Sequence, residues 1–328
     1  MTVLLVGAGP MAAAYGRVLN TLGVSWSAIG RGAASAQAFQ AACGIAPVQG
    51  GLEQYLRDHP VQRNAAAIVA LPIPQLAKAT KMLAEAGVSR VLVEKPAGLD
   101  ASEIDGVAQA AARTGSDIFV AYNRRFYAAA SAARAMIAED GGATSFHMEF
   151  TEIESRVQKA VLDPAVLANW FLANSTHVVD LAFHLCGQPA AAEGTAAGSL
   201  AWHPPGAVFV GHGRTETGAL FSWHADWSSA GRWGLDVRTA RRRLLLQPLE
   251  QLAVQEKGSF AVVQHPIDDE LDRTFKPGLY REVEAFLSSD PARRGLPAIA
   301  AHAACVRRWF AAICPPGGAR TAAVMVAS

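Results

Sequence analysis

Three groups of residues in this sequence have the types and spacing that chemistry needs. Gly7-Ala8-Gly9-Pro10-Met11-Ala12 follows G-x-G-x-x-[GA]. In that pattern Gly7 permits a tight turn, Gly9 lets the backbone approach a pyrophosphate, and small Ala12 lets a helix pack closely on a strand. Lys95 follows the apolar run Val91 to Val93 and can present an ammonium group to an oxygen that gains negative charge. His177, Asp180 and His184 are spaced by three and four residues, so on a helix they share one face. Two imidazoles and a carboxylate on one face can move protons.

The elements that must position these groups are legible in the hydrophobic pattern. From residue 2 to about 121, apolar runs (Val3 to Val6, Ser25 to Ile29, Ala66 to Leu71, Val91 to Val93, Ile118 to Ala121) alternate with Ala-rich helical stretches. Strands without polar alternation, separated by helices, predict a doubly wound parallel sheet covered on both faces. Pro74 suits the first turn of a helix over Gln75 to Ala86, and Asp100 with Glu103 forms a capping-box-like start. The glycine motif then lies between the first strand and the first helix, whose N-terminus would face phosphate charge. Dinucleotide binding is the expectation. An NAD-preferring site has an acidic residue closing the second strand, whereas this chain reads Ile29-Gly30-Arg31. Arg31 could pair with a 2′-phosphate or lie on the adenine, which favours NADP(H), with NAD(H) as the alternative.

After Tyr122 the texture changes. Helical stretches at Ala128 to Ala138 and His177 to Leu185 flank Phe146 to Phe150. Beyond Pro189 the runs Leu220 to Trp227, Gly234 to Val237, Arg243 to Leu246 and Ala261 to Val263 predict a mostly antiparallel sheet. Helical patterns return at Tyr280 to Leu287 and Ile299 to Ile313, and Pro315-Pro316-Gly317-Gly318 opens a tail. The fold class is therefore α/β followed by α+β. The expected domains are 1–122 for the dinucleotide, 123–314 for substrate and oligomerisation, and a tail over 315–328.

Composition narrows the partners. Of 328 residues 51% are hydrophobic, and 29 Lys and Arg against 28 Asp and Glu leave a formal charge of +1, which offers nucleic acid or an anionic membrane no footprint. Cys43, Cys186, Cys305 and Cys314 are scattered without metal-site spacing, fitting reduced thiols and a cytoplasmic compartment. No basic, apolar leader opens the chain and no apolar run reaches the roughly 20 residues of a spanning helix, so neither signal peptide nor anchor is expected. No metal is expected, since no third histidine or cysteine accompanies His177 and His184 at ligand spacing.

Glu94-Lys95-Pro96, Tyr122-Asn123-Arg124-Arg125-Phe126, Asn174 to His184 and Phe275-Lys276-Pro277-Gly278-Leu279-Tyr280 follow the glycine motif in order. With these segments the sequence resembles the glucose-fructose oxidoreductase/inositol dehydrogenase family, Gfo/Idh/MocA, over nearly its whole length. The resemblance implies a Rossmann domain, an open-faced and mostly antiparallel second sheet, and substrate held between them near the nicotinamide. It implies that Lys95 is the active-site lysine, Asp180 the site carboxylate and His184 the acid/base, with His177 in support. It further implies cofactor contacts at Gly7, Gly9, Pro10, Met11, Ala12, Arg31, Leu71, Pro72, Glu94, Lys95, Pro96 and Asn123. Arg124, Arg156, Trp170 and His177 become candidate substrate residues. One departure stands out: Ala70-Leu71-Pro72-Ile73-Pro74-Gln75-Leu76 occupies the region where relatives commonly carry a Thr-Pro-Asn-type loop and a following His.

The implied function is NAD(P)-dependent hydride transfer between nicotinamide and a hydroxyl or keto carbon of a sugar, cyclic polyol or sugar derivative. Two alternatives are a biosynthetic imine or ketone reductase and a catalytically silent dinucleotide sensor; retention of Lys95, Asp180 and His184 counts against the sensor. Arg241-Arg242-Arg243 could meet an anionic substrate or form a solvated strand edge. Trp223, Trp227 and Trp233 would stabilise the second sheet or a subunit contact, and a homodimer or homotetramer is expected.

Overall fold

The computed structural model describes residues 2–61, 65–159, 163–290 and 295–315. The chain forms two compact units: Met1–Tyr122 with Thr274–Ala304, and Asn123–Arg273 with the chain from Cys305 onward.

In the first unit β1 (Val3–Val6), β2 (Trp26–Ile29), β3 (Ala66–Val69), β4 (Arg90–Glu94) and β5 (Asp117–Ala121) form a parallel sheet in the order β2-β1-β3-β4-β5. β1 and β3 are buried along their whole length, as strands covered on both faces must be. Helices α1 (Pro10–Thr21), α2 (Ala33–Cys43), α3 (Gly51–Asp58), α4 (Ile73–Glu85) and α5 (Ala101–Thr114) lie between them in the chain. Pro10 and Pro74 sit in first turns, where a missing N–H costs nothing. Asp100 caps α5 by accepting from the Glu103 N–H at 2.9 Å, and Glu103 accepts in return from the Leu99 N–H at 2.8 Å. From β1 the strand order runs out in both directions, which creates a crevice beyond the carboxyl ends of β1 and β3.

One unit breaks off at Tyr122 and the other begins at Asn123, and the stretch 123–314 is divided between the two. Thr274–Ala304 returns to the first unit. The helix Leu279–Leu287 sends buried Glu282 to accept from the Tyr15 hydroxyl at 3.3 Å, Arg90 donates to the carbonyls of Phe286 and Ser288, and Ala298 bridges to Phe119. An amphipathic helix can be read from sequence; the surface that covers its apolar face cannot. Of the expected tail, residues 316–328 lie outside the described residues.

In the second unit α6 (Ala128–Glu139) leads into β6 (Ala143–Phe150), followed by the short helices α7 (Glu154–Lys159) and α8 (Pro164–Ala168). A widened helical turn over Phe171–Ser175 runs into α9 (Thr176–Cys186). Then come β7 (Pro189–Ala197), β8 (Val208–Thr215), β9 (Leu220–Asp226), β10 (Trp233–Thr239), β11 (Arg242–Leu246), β12 (Ala253–Glu256) and β13 (Val263–Gln264). They form one sheet in the order β13-β12-β11-β10-β6-β9-β8-β7, antiparallel except where β6 meets β9. Phe146, Met148 and Phe150 of β6 turn inward, and Phe183 of α9 packs edge-on against Phe146 and Phe221.

Three expectations change here. β7 and β8 are not among the expected strands: β7 is built of small residues with little strand propensity, and Gly211 and Gly213 interrupt β8. They are strands because β9 lays aromatics across them: a Cβ on Gly211 would run into the Trp223 ring, and one on Gly213 into Phe221. The strand expected at Ala261 to Val263 reduces to Val263–Gln264, paired with an unanticipated β12. Trp223 and Trp227 belong to the interior, fully buried, so neither is available to a subunit contact.

Candidate functional site

The crevice beyond β1 and β3 is a cavity of about 780 Å³ lined by Gly7, Gly9, Pro10, Met11, Arg31, Leu71 and Pro72 among others. Gly7 has φ +131°, and a Cβ there would run into the Ala70 carbonyl oxygen. Gly9 is the opposite case: nothing lies within 4 Å of where its Cβ would be. The missing side chain leaves room for a pyrophosphate, next to a helix N-terminus with neither a side-chain cap nor an acidic residue in its first turn. Ala12 does not line the cavity; it is buried, with its Cβ 3.5 Å from the Gly7 Cβ position, the packing role its size suggests. These residues fit a dinucleotide.

Arg31 lies at the end of β2 and donates to Gln75 Oε1 at 2.8 Å. Its stem passes over Gly51, where a Cβ would come within 2.8 Å of Arg31 Cγ. Ser35, Gly50 and Lys78 line the same end of the cavity. Glu53, also on the lining, is salt-bridged to Lys78 at 3.6 Å and Arg57 at 3.9 Å.

Lys95 emerges at the carboxyl end of β4 in a turn closed by the Ala97 N–H donating to the Glu94 carbonyl at 3.0 Å. The Lys95–Pro96 peptide is cis, and Ala97 adopts φ +75°. Glu94 accepts from the Tyr15 hydroxyl at 2.7 Å, and His302 bonds the Pro96 carbonyl at 3.1 Å. Burial and the Glu94 and Glu282 carboxylates push the Tyr15 phenol up, so it remains a donor. Both neighbours of Lys95 are thus tethered, and the lysine is half-buried. Glu94, Lys95 and Pro96 stand outside the lining of the glycine-motif cavity.

In the second unit α9 separates the three residues that share its sequence pattern. Asp180 is held by Arg125, Nε to Oδ2 at 2.7 Å and Nη2 to Oδ1 at 2.6 Å. Burial raises its pKa while Arg125 draws it down. His184 lies one turn on, where burial, helped by Arg125 and Arg134, pushes its pKa down to about 3. His177, buried, packs against Trp233 with ring centroids 6.0 Å apart. Trp233 also carries the Arg124 guanidinium, 4.8 Å from its ring centroid, and Arg124 donates to Asn123 Oδ1 at 3.2 Å. Arg124 and Trp233 line a cavity of about 720 Å³ with Arg156, Trp170, Asn174 and Arg232. On the same lining, buried Glu152 accepts from Asn174 Nδ2 at 3.1 Å and from the Ser175 hydroxyl at 2.6 Å. So Arg124, Arg156 and Trp170 share a cavity, whereas His177, Asp180 and His184 do not line it; His177 packs against Trp233, which does.

The sequence reading left Arg125, Glu152 and Arg232 without roles. The adjacent pair Arg124-Arg125 was the available signal for Arg125; its partner lies 55 residues away. Among the described residues, no group of three His, Cys, Asp or Glu side chains is placed to hold a metal ion, and no helix is long and apolar enough to cross a membrane.

Comparison with known proteins agrees with the first cavity. Residues 1–122 match the Gfo/Idh/MocA family, an oxidoreductase family with an NAD-binding Rossmann fold. No curated protein matches in a sequence search. Among solved structures the fold is shared with levoglucosan dehydrogenase in complex with NADH (TM-score 0.74, 18% identity, 95% of each chain covered). It is shared as well with UDP-N-acetylglucosamine 3-dehydrogenase from Acidithiobacillus ferrooxidans (TM-score 0.73, 15% identity, 95% of this chain and 97% of that one). An oxidoreductase from Agrobacterium radiobacter in complex with NAD+, L-tartaric acid and magnesium matches at TM-score 0.76, 13% identity and 98% of each chain. Glycine motif, parallel sheet and family match thus agree for residues 1–122, which are similar to an oxidoreductase family with an NAD-binding Rossmann fold.

Proposed function

We propose that the protein transfers hydride between a nicotinamide dinucleotide and a hydroxyl or keto carbon of a sugar, cyclic polyol or sugar derivative. The observation that carries this reading is a pair of cavities of different character. One is a glycine-walled crevice at a helix N-terminus; the other is lined by Arg124, Arg156, Trp170, Asn174 and Trp233. Aromatic walls with a few polar groups suit a polyhydroxylated ring. The dehydrogenases that share this fold act on levoglucosan and on UDP-N-acetylglucosamine.

When bound, the nicotinamide accepts or gives hydride at C4. The residues of this chain do the rest. Lys95 donates a hydrogen bond to the substrate oxygen and steadies the charge it gains. His177 takes the hydroxyl proton during oxidation and returns it during reduction. We favour His177 over His184 because it packs against Trp233, a residue of the second cavity's lining. A histidine whose pKa is pushed down to about 3 is also a poor base near neutrality. Asp180, gripped by Arg125, holds α9 in place. Asn123, beside Arg124 in sequence and bonded to it, positions that guanidinium.

NADP(H) is the preferred cofactor in this proposal, with Arg31 taking the 2′-phosphate beside Ser35 and Lys78. All four cysteines are free thiols, which supports a reducing, cytoplasmic setting. Val210 and Leu220 are exposed apolar side chains on neighbouring strands of the second sheet, which supports assembly as a homodimer or homotetramer.

The test is NADP+ reduction with a panel of sugars, inositols and nucleotide sugars. Lys95→Ala and His177→Gln should each lower kcat about 10²- to 10⁴-fold while cofactor affinity holds. Cofactor binding without turnover of any panel member would overturn the proposal, and a larger loss in His184→Gln than in His177→Gln would reverse the assignment of the base.

A further inference from the structure

Three arginines against two glutamates leave the lining of the second cavity a formal excess of one positive charge. The arginines that belong to it are Arg124 after β5, Arg156 on α7 and Arg232 before β10. Glu152 and Glu250 are the carboxylates of the lining, and Glu152 is occupied with Asn174 and Ser175.

Elsewhere in the same unit this chain neutralises its arginines. Arg241 pairs with Glu139 at 3.3 Å, Arg242 with Asp140 at 2.9 Å, and Arg243 with Asp236 at 2.7 Å. The Arg-Arg-Arg run that the sequence offers as an anion site is therefore satisfied by its own acids. Arg156 and Arg232 differ: among the described residues neither forms an ion pair. Arg124 is set by its stacking on Trp233 and its bond to Asn123, so its fork is oriented before any ligand arrives. A planar fork matches the oxygens of carboxylate or phosphate, and an anionic ligand offsets the excess positive charge of the lining.

We propose that the substrate bears an oxyanion, a carboxylate or a phosphate ester, seated on Arg124, Arg156 and Arg232. This rests on the sugar-derivative reading above and narrows it: the hydroxyl that reacts belongs to a sugar acid or sugar phosphate. Trp170 and Trp233 face the apolar side of the ring, and the arginines fix which end enters. Because Arg156 and Arg232 are exposed, the attraction is screened by salt, and KM for the anion rises with ionic strength.

The experiment compares matched substrates: several hexoses, each with its uronate and its 6-phosphate, in NADP+-linked turnover. An anionic member should exceed its neutral parent in kcat/KM at least about tenfold, the value of one charge-assisted contact. The uronate and phosphate arms identify which oxyanion is read. In Arg156→Gln/Arg232→Gln the ratio of anionic to neutral should fall toward unity, whereas Arg241→Gln should leave it unchanged. Neutral hexoses turned over as well as their anionic partners, or a ratio insensitive to the double substitution, would overturn the inference and leave hydride transfer to sugars standing. If no sugar of any charge is turned over, the functional reading fails instead. Quenching of tryptophan fluorescence by glucuronate and glucose 6-phosphate, compared with glucose, then decides the cavity alone. Anion-selective quenching lost in the double variant supports it, and its absence overturns it.

Discussion

Arg125 and Asp180 meet fork to fork, with both carboxylate oxygens bonded and the two side chains only 13% and 10% exposed. Taking one partner away leaves the other charge buried. Asp180→Asn should therefore lower the unfolding free energy by about 3–5 kcal/mol. Loss of an exposed pair such as Arg113 with Glu85 should cost no more than about 1 kcal/mol. Urea titration measures both. Arg125→Met combined with Asp180→Leu should recover much of the loss, since the cost is that of a stranded ion. If Asp180→Asn abolished turnover while unfolding at the wild-type midpoint, Asp180 would belong to the chemistry and not to the scaffold.

His184 makes stability depend on pH. Its native pKa is pushed down to about 3, chiefly by burial. In the unfolded chain a histidine titrates near 6.5. Between those values the unfolded state binds a proton that the native state refuses. The stability this neutral imidazole confers is therefore present above about pH 6.5 and lost as pH falls toward 3, by up to about 1.4 kcal/mol per pH unit. His184→Gln should flatten the stability profile between about pH 4 and 6.5 by up to that slope. Urea midpoints at several pH values read it directly; parallel profiles for the two proteins would show that His184 is charged in the native state.

The two glycines of the first turn should answer substitution differently. Gly7→Ala demands φ +131° of an alanine and drives its Cβ into the Ala70 carbonyl, so the end of β1 has to move. Gly9→Ala meets no protein atom within 4 Å and fills only the cavity. Gly7→Ala should lower the thermal midpoint and weaken dinucleotide binding together. Gly9→Ala should leave the midpoint of the cofactor-free protein within experimental error while weakening NADP+ binding tenfold or more, as calorimetry would measure.

What the sequence disclosed follows the range over which each signal acts. β1 was legible residue for residue because Val3–Val6 is buried on both faces and its apolar run is unbroken. The cavity around Gly7 and Gly9 was legible because strand, turn and helix are adjacent in the chain. β7 and β8 were not, because the small residues of β7 and the glycines that interrupt β8 acquire a purpose only under Trp223 and Phe221 of β9. The helical spacing of His177, Asp180 and His184 was correct, yet it could not say that Asp180 is engaged by Arg125 and that His177 alone of the three packs against Trp233. Ion pairing between residues far apart in sequence leaves no periodic trace, and the same limit hid the return of Thr274–Ala304 to the first unit.

Arg31 offers a test of cofactor choice that does not disturb the fold. It is exposed, it donates to Gln75 at 2.8 Å, and it follows β2 where an acidic residue would favour the ribose 2′-hydroxyl. A charge-assisted bond to a 2′-phosphate stabilises by about 1.5–3 kcal/mol, which is roughly 10- to 150-fold in binding. Arg31→Ala should raise KM for NADPH by a factor in that range and leave KM for NADH nearly unchanged. Arg31→Asp should go further and invert the preference, because a carboxylate repels the phosphate and accepts from the ribose hydroxyls. Gln75→Ala separates the two roles of the guanidinium: freed from its amide partner, Arg31 remains charged and the preference for NADPH should survive. Wild-type enzyme that prefers NADH would place adenosine recognition elsewhere on the lining, with Glu53 the carboxylate available there.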